Sequence, residues 1–293
     1  MNTLKSIFIS TYMMAVITIA AIATGLAWKT SDYLLWGGVL LTTVPFILVI
    51  GRLAITHRVA RTSARFPVVN ALGSTGVLMA AGGYFFRTGD MAGSVYAPII
   101  ALSAWVGFIL YAYWYSSFGR QSSQQLQVGR TLPEFKLKDI RGNLISSVSL
   151  TDKPTVWMFY RGAWCPLCVA QINELVAQYQ QLQGMGARVA LVSPQPHGNT
   201  VKMAEKFGVD FDFLTDEGNR AGRALGIENP QGIPMGMQML GYDSETVLPT
   251  VIITDAGGEI LWAHETDNYR VRPDPDIYLA VLREKSVVVA GVS

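Results

Sequence analysis

The sequence predicts an all-α, four-helix transmembrane bundle followed by an α/β domain, and three observations predict it. Half of the 293 residues are hydrophobic and only 15% are charged, against roughly 25% charged in soluble chains. The deficit is local: between Ile7 and Tyr115 charges are few and confined to short stretches, whereas from Arg120 onward the mixture is ordinary. In that second half, short apolar runs suited to strands alternate with stretches of helical spacing, the pattern of an α/β sandwich.

Four apolar runs make up the first half: Ile7 to Trp28, Tyr33 to Ile55, Pro67 to Phe86 and Val95 to Tyr115. Each is close to the ~20 residues a helix needs to cross a ~30 Å hydrocarbon core. The first run is too long for the apolar region of a signal peptide, lacks a clean small-residue cleavage site and is followed by three more runs, so it reads as a retained helix. The connections Lys29-Thr30-Ser31-Asp32, His57 to Phe66 and Arg87-Thr88-Gly89-Asp90 are short and polar, and Trp28, Tyr33, Trp36, Tyr84, Tyr111, Tyr113, Trp114 and Tyr115 supply interfacial aromatics. Gly73, Gly76, Ala80 and Gly83 share roughly one face of the third helix, which suits close packing.

With four spans, the N-terminus, the middle loop and the C-terminal domain lie on one side. That side holds Lys5, Arg52, Arg58, Arg61, Arg65, Arg120 and Arg130, against Lys29 and Arg87 on the other. The bias predicts a multi-pass protein of a bacterial inner membrane with its soluble domain in the cytoplasm. The lipid bilayer is the expected surrounding, and the basic middle loop sets topology or meets anionic headgroups. No cysteine lies in any span, so thiols do not relay electrons across the bilayer, and His57 as the sole histidine there excludes a bis-histidine haem.

The expected divisions are a membrane domain at 1–115, a linker at 116–129 and an α/β domain at 130–293. The linker, Ser/Gln-rich and without apolar periodicity, reads as a flexible tether. Beyond it, Thr155 to Tyr160 is a buried strand and Cys165 to Leu182 a helix; Arg188 to Ser193 and Thr200 to Phe207 repeat the alternation. Asp216 to Leu225 suits a further helix. Val251–Thr254 and Glu259–Ala263 form a hairpin across Asp255-Ala256-Gly257-Gly258, and Asp274 to Glu284 closes the chain as a helix.

The two cysteines, Cys165 and Cys168, stand in Trp164-Cys165-Pro166-Leu167-Cys168. So low a cysteine count excludes a disulfide scaffold, and the three scattered histidines (His57, His197, His264) provide no second ligand pair for zinc. The net charge of +2, with no basic patch interleaved with aromatics, gives no case for nucleic acid. Strand, short turn, then a helix beginning near Cys165 is the setting that favours a thiolate, because the helix N-terminus carries partial positive charge and unpaired N–H groups. Cys165 is therefore the expected exposed attacker. Cys168, one helical turn on, is the resolving thiol, and Pro166 stiffens the first turn without wasting an N–H.

At these residues a family resemblance enters. Tyr160-Arg161-Gly162-Ala163-Trp164-Cys165-Pro166-Leu167-Cys168, with Gly129-Arg130-Thr131-Leu132-Pro133-Glu134-Phe135, Asp139-Ile140-Arg141-Gly142 and Val192-Ser193-Pro194-Gln195, resembles the peroxiredoxin-like branch of the thioredoxin superfamily (alkyl hydroperoxide reductase/thiol-specific antioxidant type). The likeness covers the soluble domain nearly end to end and none of the membrane half. It implies a thioredoxin-like fold and a redox-active Cys165–Cys168 disulfide with no other cofactor. It also implies a thiol electron donor such as a thioredoxin or glutathione system, and a hydroperoxide or protein disulfide as substrate. Leu248-Pro249-Thr250 resembles the cis-proline segment that faces the cysteines in thioredoxins, and a proline leading into a strand is itself a candidate cis bond.

Departures from the branch are equally specific. Its Pro-x-x-x-Thr/Ser-x-x-Cys pattern meets Met158 and Gly162 here, and Pro249 stands about where it places an arginine. Arg161 is either a substitute cation that lowers the Cys165 pKa or a solvated side chain. Three functions follow as alternatives: a dithiol/disulfide oxidoreductase with antioxidant character, a thiol peroxidase working through a Cys165 sulfenic acid, and a redox sensor or assembly factor. Of the remaining features, Met235, Met237 and Met239 alternate in a loop that covers the site, touches the membrane or holds Cu(I). His197 is a loop histidine or a proton carrier to the cysteines, and His264 alternates with apolar neighbours as a structural residue.

Overall fold

The computed structural model describes residues 2–57, 60–86 and 95–290, the last six by backbone only. Arg58 and the loop Arg87-Thr88-Gly89-Asp90, on which the charge-bias reading partly rests, lie outside the described residues. The chain forms two compact units, Leu4–Thr56 with Thr62–Ser117, and Phe118–Ser293 with the short stretches around Thr3 and His57.

The first unit consists of α1 (Asn2–Thr30), α2 (Tyr33–Thr56), α3 (Pro67–Phe85) and α4 (Tyr96–Ile109), the last continuing as a π-helical turn over Leu110–Tyr115. All four are long and apolar enough to cross a membrane. Without a hydrophobic drive between helices in lipid, close backbone approach has to supply the packing. The face of α3 marked by Gly73, Gly76, Ala80 and Gly83 is its buried face. A Cβ on Gly76 would lie 2.6 Å from the Gly38 carbonyl oxygen of α2, and one on Gly73 would meet the Trp105 ring. Tyr12 of α1 reaches across to donate to the Ala104 carbonyl oxygen (3.1 Å).

The second unit is built on a seven-stranded sheet in the order β2-β1-β5-β4-β3-β8-β9. Its strands are β1 (Lys136–Lys138), β2 (Leu144–Ser146), β3 (Thr155–Phe159), β4 (Arg188–Ser193), β5 (Asp212–Thr215), β8 (Thr250–Thr254) and β9 (Ile260–Glu265). A separate pair joins β6 (Glu228–Asn229) to β7 (Thr246–Val247). Strands β3, β4 and β5 run parallel, while β8 and β9 are antiparallel additions beside β3. The helices are α5 (Pro166–Ala177), α6 (Tyr179–Gly184), α7 (His197–Phe207), α8 (Arg220–Ala224) and α9 (Pro275–Ala290). A β3-α5-β4 crossover followed by the β8-β9 hairpin and a closing helix is the thioredoxin-like connectivity.

Every residue of β3 is buried, so it reads as an unbroken apolar run rather than an alternation. Trp157 and Phe159 pack with Ala190, Val192, Leu214 and Ile252 in the main core, and Trp157 Nε1 is satisfied by Thr254 Oγ1 (3.2 Å). The register pairs Phe159 with Thr250, which brings the end of β3 and the start of β8 to the same edge of the sheet.

Three expectations change. The predicted helix from Cys165 to Leu182 is two helices, because Gln178 (φ −101°, ψ 11°) leaves helical geometry between α5 and α6. The segment 116–129 is no flexible tether from Phe118 onward. Phe118 N donates to the Asp267 carbonyl oxygen (2.7 Å), Ser123 Oγ to the Leu225 carbonyl oxygen (2.6 Å) and Gly129 N to the Ile260 carbonyl oxygen (2.9 Å). Arg120, whose side chain is 2% exposed, pairs with Glu265 at 2.6 Å. Composition alone mistakes these polar residues for solvated ones. Finally, Pro249 follows a trans peptide, there being no cis bond among the described residues. Leu248 N donates to the Ile227 carbonyl oxygen and Arg120 Nη1 donates to that of Pro249, so partners on either side hold the segment extended.

Candidate active site

The turn from β3 into α5 builds the site. Gly162 adopts φ +138°, and a Cβ there would fall 2.8 Å from the Trp164 ring, so only glycine fits. Ala163 N donates to Gln195 Oε1 (2.8 Å) and Cys165 N to the Gly162 carbonyl oxygen (3.1 Å). Cys165 is the N-cap of α5 with extended backbone (φ −92°, ψ 107°), Pro166 occupies the first turn, and the Cys165 carbonyl oxygen accepts from the N–H groups of Cys168 and Val169. Both cysteines are free thiols, and Cys168 Sγ donates to Cys165 Sγ at 3.0 Å.

The two sulfurs differ electrostatically. The hydrogen bond from Cys168 holds the Cys165 thiol below the ordinary thiol range; burial opposes this, while the Arg161 and Arg272 charges and the Cys168 backbone N–H reinforce it. Cys168 moves the other way: burial pushes it well up, the interaction with Cys165 adds to the rise, and Arg272 offsets part of it. The pair can thus hold one anion, on Cys165, with the remaining proton on Cys168. The expectation of an exposed attacker is corrected, since Cys165 is 2% accessible. Its helix buries Leu167, Cys168, Val169 and Ala170 in its first turn, and the cap goes in with them.

Arg161 is buried, not solvated. Its guanidinium donates to the Gly232 carbonyl oxygen and lies over the Trp164 ring (4.6 Å), with Phe118 and Tyr269 at 5.8 and 5.7 Å. Pro249 and Thr250 lie at the sheet edge where the cysteine turn begins, tied down by Arg120 through the Pro249 carbonyl oxygen (3.1 Å) and Thr250 Oγ1 (3.0 Å). Beside the turn, Trp164, Val169, Met203, Met237 and Tyr242 line an apolar cavity of about 380 Å³, with Lys202 and Lys206 among its lining. Met237 belongs to that cavity whereas Met235 and Met239 are exposed, so the alternating methionines face different surroundings. No group of His, Cys, Asp or Glu suited to a metal occurs among the described residues.

Sequence reasoning missed two contributors. Gln195 is 3% exposed and donates to Tyr160 Oη (2.9 Å) and Thr200 Oγ1 (3.2 Å) while accepting from Ala163 N, so it locks the turn to β4 and α7. His197 pairs with Thr215 Oγ1 (3.1 Å), which donates to Thr200 Oγ1 (3.0 Å), placing the histidine on this network. His264 stacks on Trp262 within β9. The second missed residue is Arg272, 6% exposed, whose Nη2 lies 3.8 Å from Cys168 Sγ. Only its place in Arg270-Val271-Arg272-Pro273 signalled it, and that pattern is indistinguishable from an ordinary polar loop.

Residues 128–263 match the model of the AhpC/TSA family. A chloroplastic peroxiredoxin Q from Sedum lineare is 31% identical over 99 residues, 34% of this chain and 53% of that protein. The thiol-disulfide oxidoreductase ResA of Geobacillus thermodenitrificans (strain NG80-2) is 26% identical over 130 residues, 44% of this chain and 71% of that protein. The chain spans about half the length of the peroxiredoxin Q relatives it matches. Among solved structures, peroxidoxin BcpB from Mycobacterium tuberculosis is similar with a TM-score of 0.46 and 22% identity, over 54% of this chain and 97% of that one.

Proposed function

We propose that this chain, which carries an AhpC/TSA-family domain at residues 128–263, is a membrane-anchored thiol-disulfide oxidoreductase that cycles Cys165 and Cys168 between dithiol and disulfide. The observation that carries this is the free thiol pair at the N-cap of α5, 3.0 Å apart, with one sulfur favoured as thiolate and the other as thiol. The Cys165 thiolate attacks one sulfur of a substrate disulfide, forming a mixed disulfide and releasing the other sulfur as a thiolate. Cys168, once deprotonated, attacks Cys165 Sγ, which releases the reduced substrate and leaves the Cys165–Cys168 disulfide. An external dithiol of the thioredoxin type, or glutathione, returns the two electrons. Pro166 and Trp164 keep the turn rigid, Arg161 orients it, and Arg120 holds the Pro249-Thr250 segment beside it.

A second reading is favoured by the family match: Cys165 attacks the terminal oxygen of a hydroperoxide, the alcohol or water leaves, and the resulting sulfenic acid condenses with Cys168, releasing water. The absence of a hydroxyl at Gly162 weighs against a fast reaction of this kind. The four apolar helices support anchoring. The basic residues near their ends favour a bacterial inner membrane with the C-terminal domain on the cytoplasmic side, which a C-terminal phosphatase fusion tests: strong activity outside the cytoplasm overturns it.

The two chemistries separate in one experiment. The reduced chain in detergent is mixed with equimolar hydroperoxide and Trp fluorescence is followed, with Cys165→Ser as blank. Oxidation no faster than a free thiol leaves the disulfide reaction, and rapid oxidation absent from the blank makes the protein a peroxidase. In either case Cys168→Ser is expected to trap the Cys165 adduct. No adduct would end both readings.

A further inference from the structure

Whichever substrate Cys165 attacks, the cycle cannot close until Cys168 becomes a thiolate, and this is the costly step. Cys168 is fully buried, and burial together with its neighbour pushes its thiol well above the ordinary range. A thiol so placed needs a cation within reach, and the fold supplies one from 104 residues downstream.

Arg272 is 6% exposed, and its Nη2 stands 3.8 Å from Cys168 Sγ. Its Nε is buried without a hydrogen-bond partner, and among the described residues it forms no ion pair. An unpaired buried guanidinium costs several kcal/mol, so its retention beside a sulfur calls for an anion that appears there. Besides the cysteines, Tyr278 of α9, His264 of β9 and Arg120 feel its charge. None of them is a carboxylate. Of the acids around Arg120, Glu265 pairs with its guanidinium at 2.6 Å and Asp267 accepts from its backbone N–H, and burial with these two arginines holds His264 toward its neutral form. Around Cys168 the other titratable groups are Cys165 and the Tyr160 phenol, and burial pushes that phenol far up, so it stays neutral. Arg161 offers Cys168 a backbone hydrogen bond, while its guanidinium is engaged by Gly232 and the rings.

We propose that Arg272 is the residue that ionises the resolving thiol: its buried guanidinium, 3.8 Å from Cys168 Sγ and without a carboxylate partner, stabilises the Cys168 thiolate that closes the disulfide. This rests on the reading of Cys165 as attacker and Cys168 as resolver. In the step concerned Cys168 gives its proton to water and its sulfur bonds to Cys165 Sγ. The bond between Cys165 Sγ and the substrate sulfur breaks, and that sulfur leaves as a thiolate with the electron pair. The cysteine pair is oxidised by two electrons and the substrate disulfide is reduced. The reduced pair carries an anion on Cys165 that the disulfide lacks, so Arg272, whose charge also lowers Cys165, favours the reduced pair and makes the site a stronger oxidant.

The test uses the full reduced chain in detergent and dipyridyl disulfide, which releases one chromophoric thiopyridone on the first attack and a second when Cys168 resolves the adduct. Wild type is expected to give two phases and Cys168→Ser the first alone. Arg272→Met should slow the second phase about tenfold or more near neutral pH, the loss expected for a shift of one unit or more in a thiol pKa, and slow the first far less. The pH midpoint of the second phase should rise in Arg272→Met and return toward wild type in Arg272→Lys. The first phase in the same trace reports that the site is folded. Equal slowing of both phases, an unchanged second phase, or an Arg272→Lys variant as slow as Arg272→Met would overturn the assignment. A wild-type chain with no first phase beyond that of Cys165→Ser would instead refute the cysteine roles, and this proposal with them.

Discussion

Two segments bring an arginine to the same pair of thiols and hold it in different ways. Arg161, in the turn that leads into Cys165, donates to the Gly232 carbonyl oxygen and lies over three aromatic rings. Arg272, in the stretch before α9, touches Cys168 through Nη2, and the Nε of both arginines is buried without a hydrogen-bond partner. A guanidinium anchored by a carbonyl oxygen and aromatic rings mainly fixes geometry, whereas one whose hydrogen bond goes to a sulfur is held for a charge still to form there. The contrast also divides the sulfurs: Arg161 and Arg272 both lower Cys165, with Arg161 the larger, but the cation that lowers Cys168 is Arg272.

The most damaging way to break this arrangement is to free the Pro249-Thr250 segment from Arg120. Arg120→Met leaves the largely buried Glu265 without its cation, with the Ser123 N–H still donating to it, and removes donors from Pro249 and Thr250. A loss of about 3–5 kcal/mol is expected, read by denaturant unfolding of the solubilised chain. An unchanged midpoint would mean that the 118–129 segment is not pinned as described. Gly162→Ala comes next. It places a Cβ at φ +138° and 2.8 Å from the Trp164 ring, with an expected cost of about 1–3 kcal/mol and a misplaced Trp164, visible in fluorescence. Gln195→Leu should follow at about 1–3 kcal/mol, because Ala163 N and the Tyr160 hydroxyl lose their partner. Its readout is faster hydrogen exchange at Ala163.

The smallest effect sharpens the division of labour. Because Cys165 is held low, its alkylation by iodoacetamide should persist as pH falls below the ordinary thiol value of roughly 8.5 and fade only below the lowered one. Arg161→Met removes a cation from the thiolate, so in the Cys168→Ser background the midpoint moves up. No movement would assign Arg161 to geometry alone. The linked effect on stability has the same sign: a depressed thiol pKa adds stability above the unfolded value and loses it as pH falls through the folded one.

Much of the chemistry was legible because it is local. Strand β3, the cap at Cys165 and Pro166 lie within twelve residues, and each obeys a rule of backbone geometry that holds without neighbours. The small-residue face of α3 was legible for a similar reason, since helical periodicity decides which residues align. By contrast β5, four residues long, offers too short a period to separate from a loop, and β1 and β2 are shorter still. The Ser/Gln composition of 118–129 concealed Arg120, which is buried because Glu265 lies opposite it.

By itself, then, the sequence determined four helices of membrane length, an α/β domain, and a cysteine at the start of a helix with a second one turn on, all consequences of periodicity, turn chemistry and spacing along the chain. Tertiary structure alone decided that Cys165 is buried, that the Leu248–Pro249 peptide is trans and that Gln195 locks the turn. It alone decided, too, that Arg272 stands at Cys168. Burial and electrostatic partnership depend on which distant segments converge, and a guanidinium 104 residues away leaves no periodic trace near the thiol it serves.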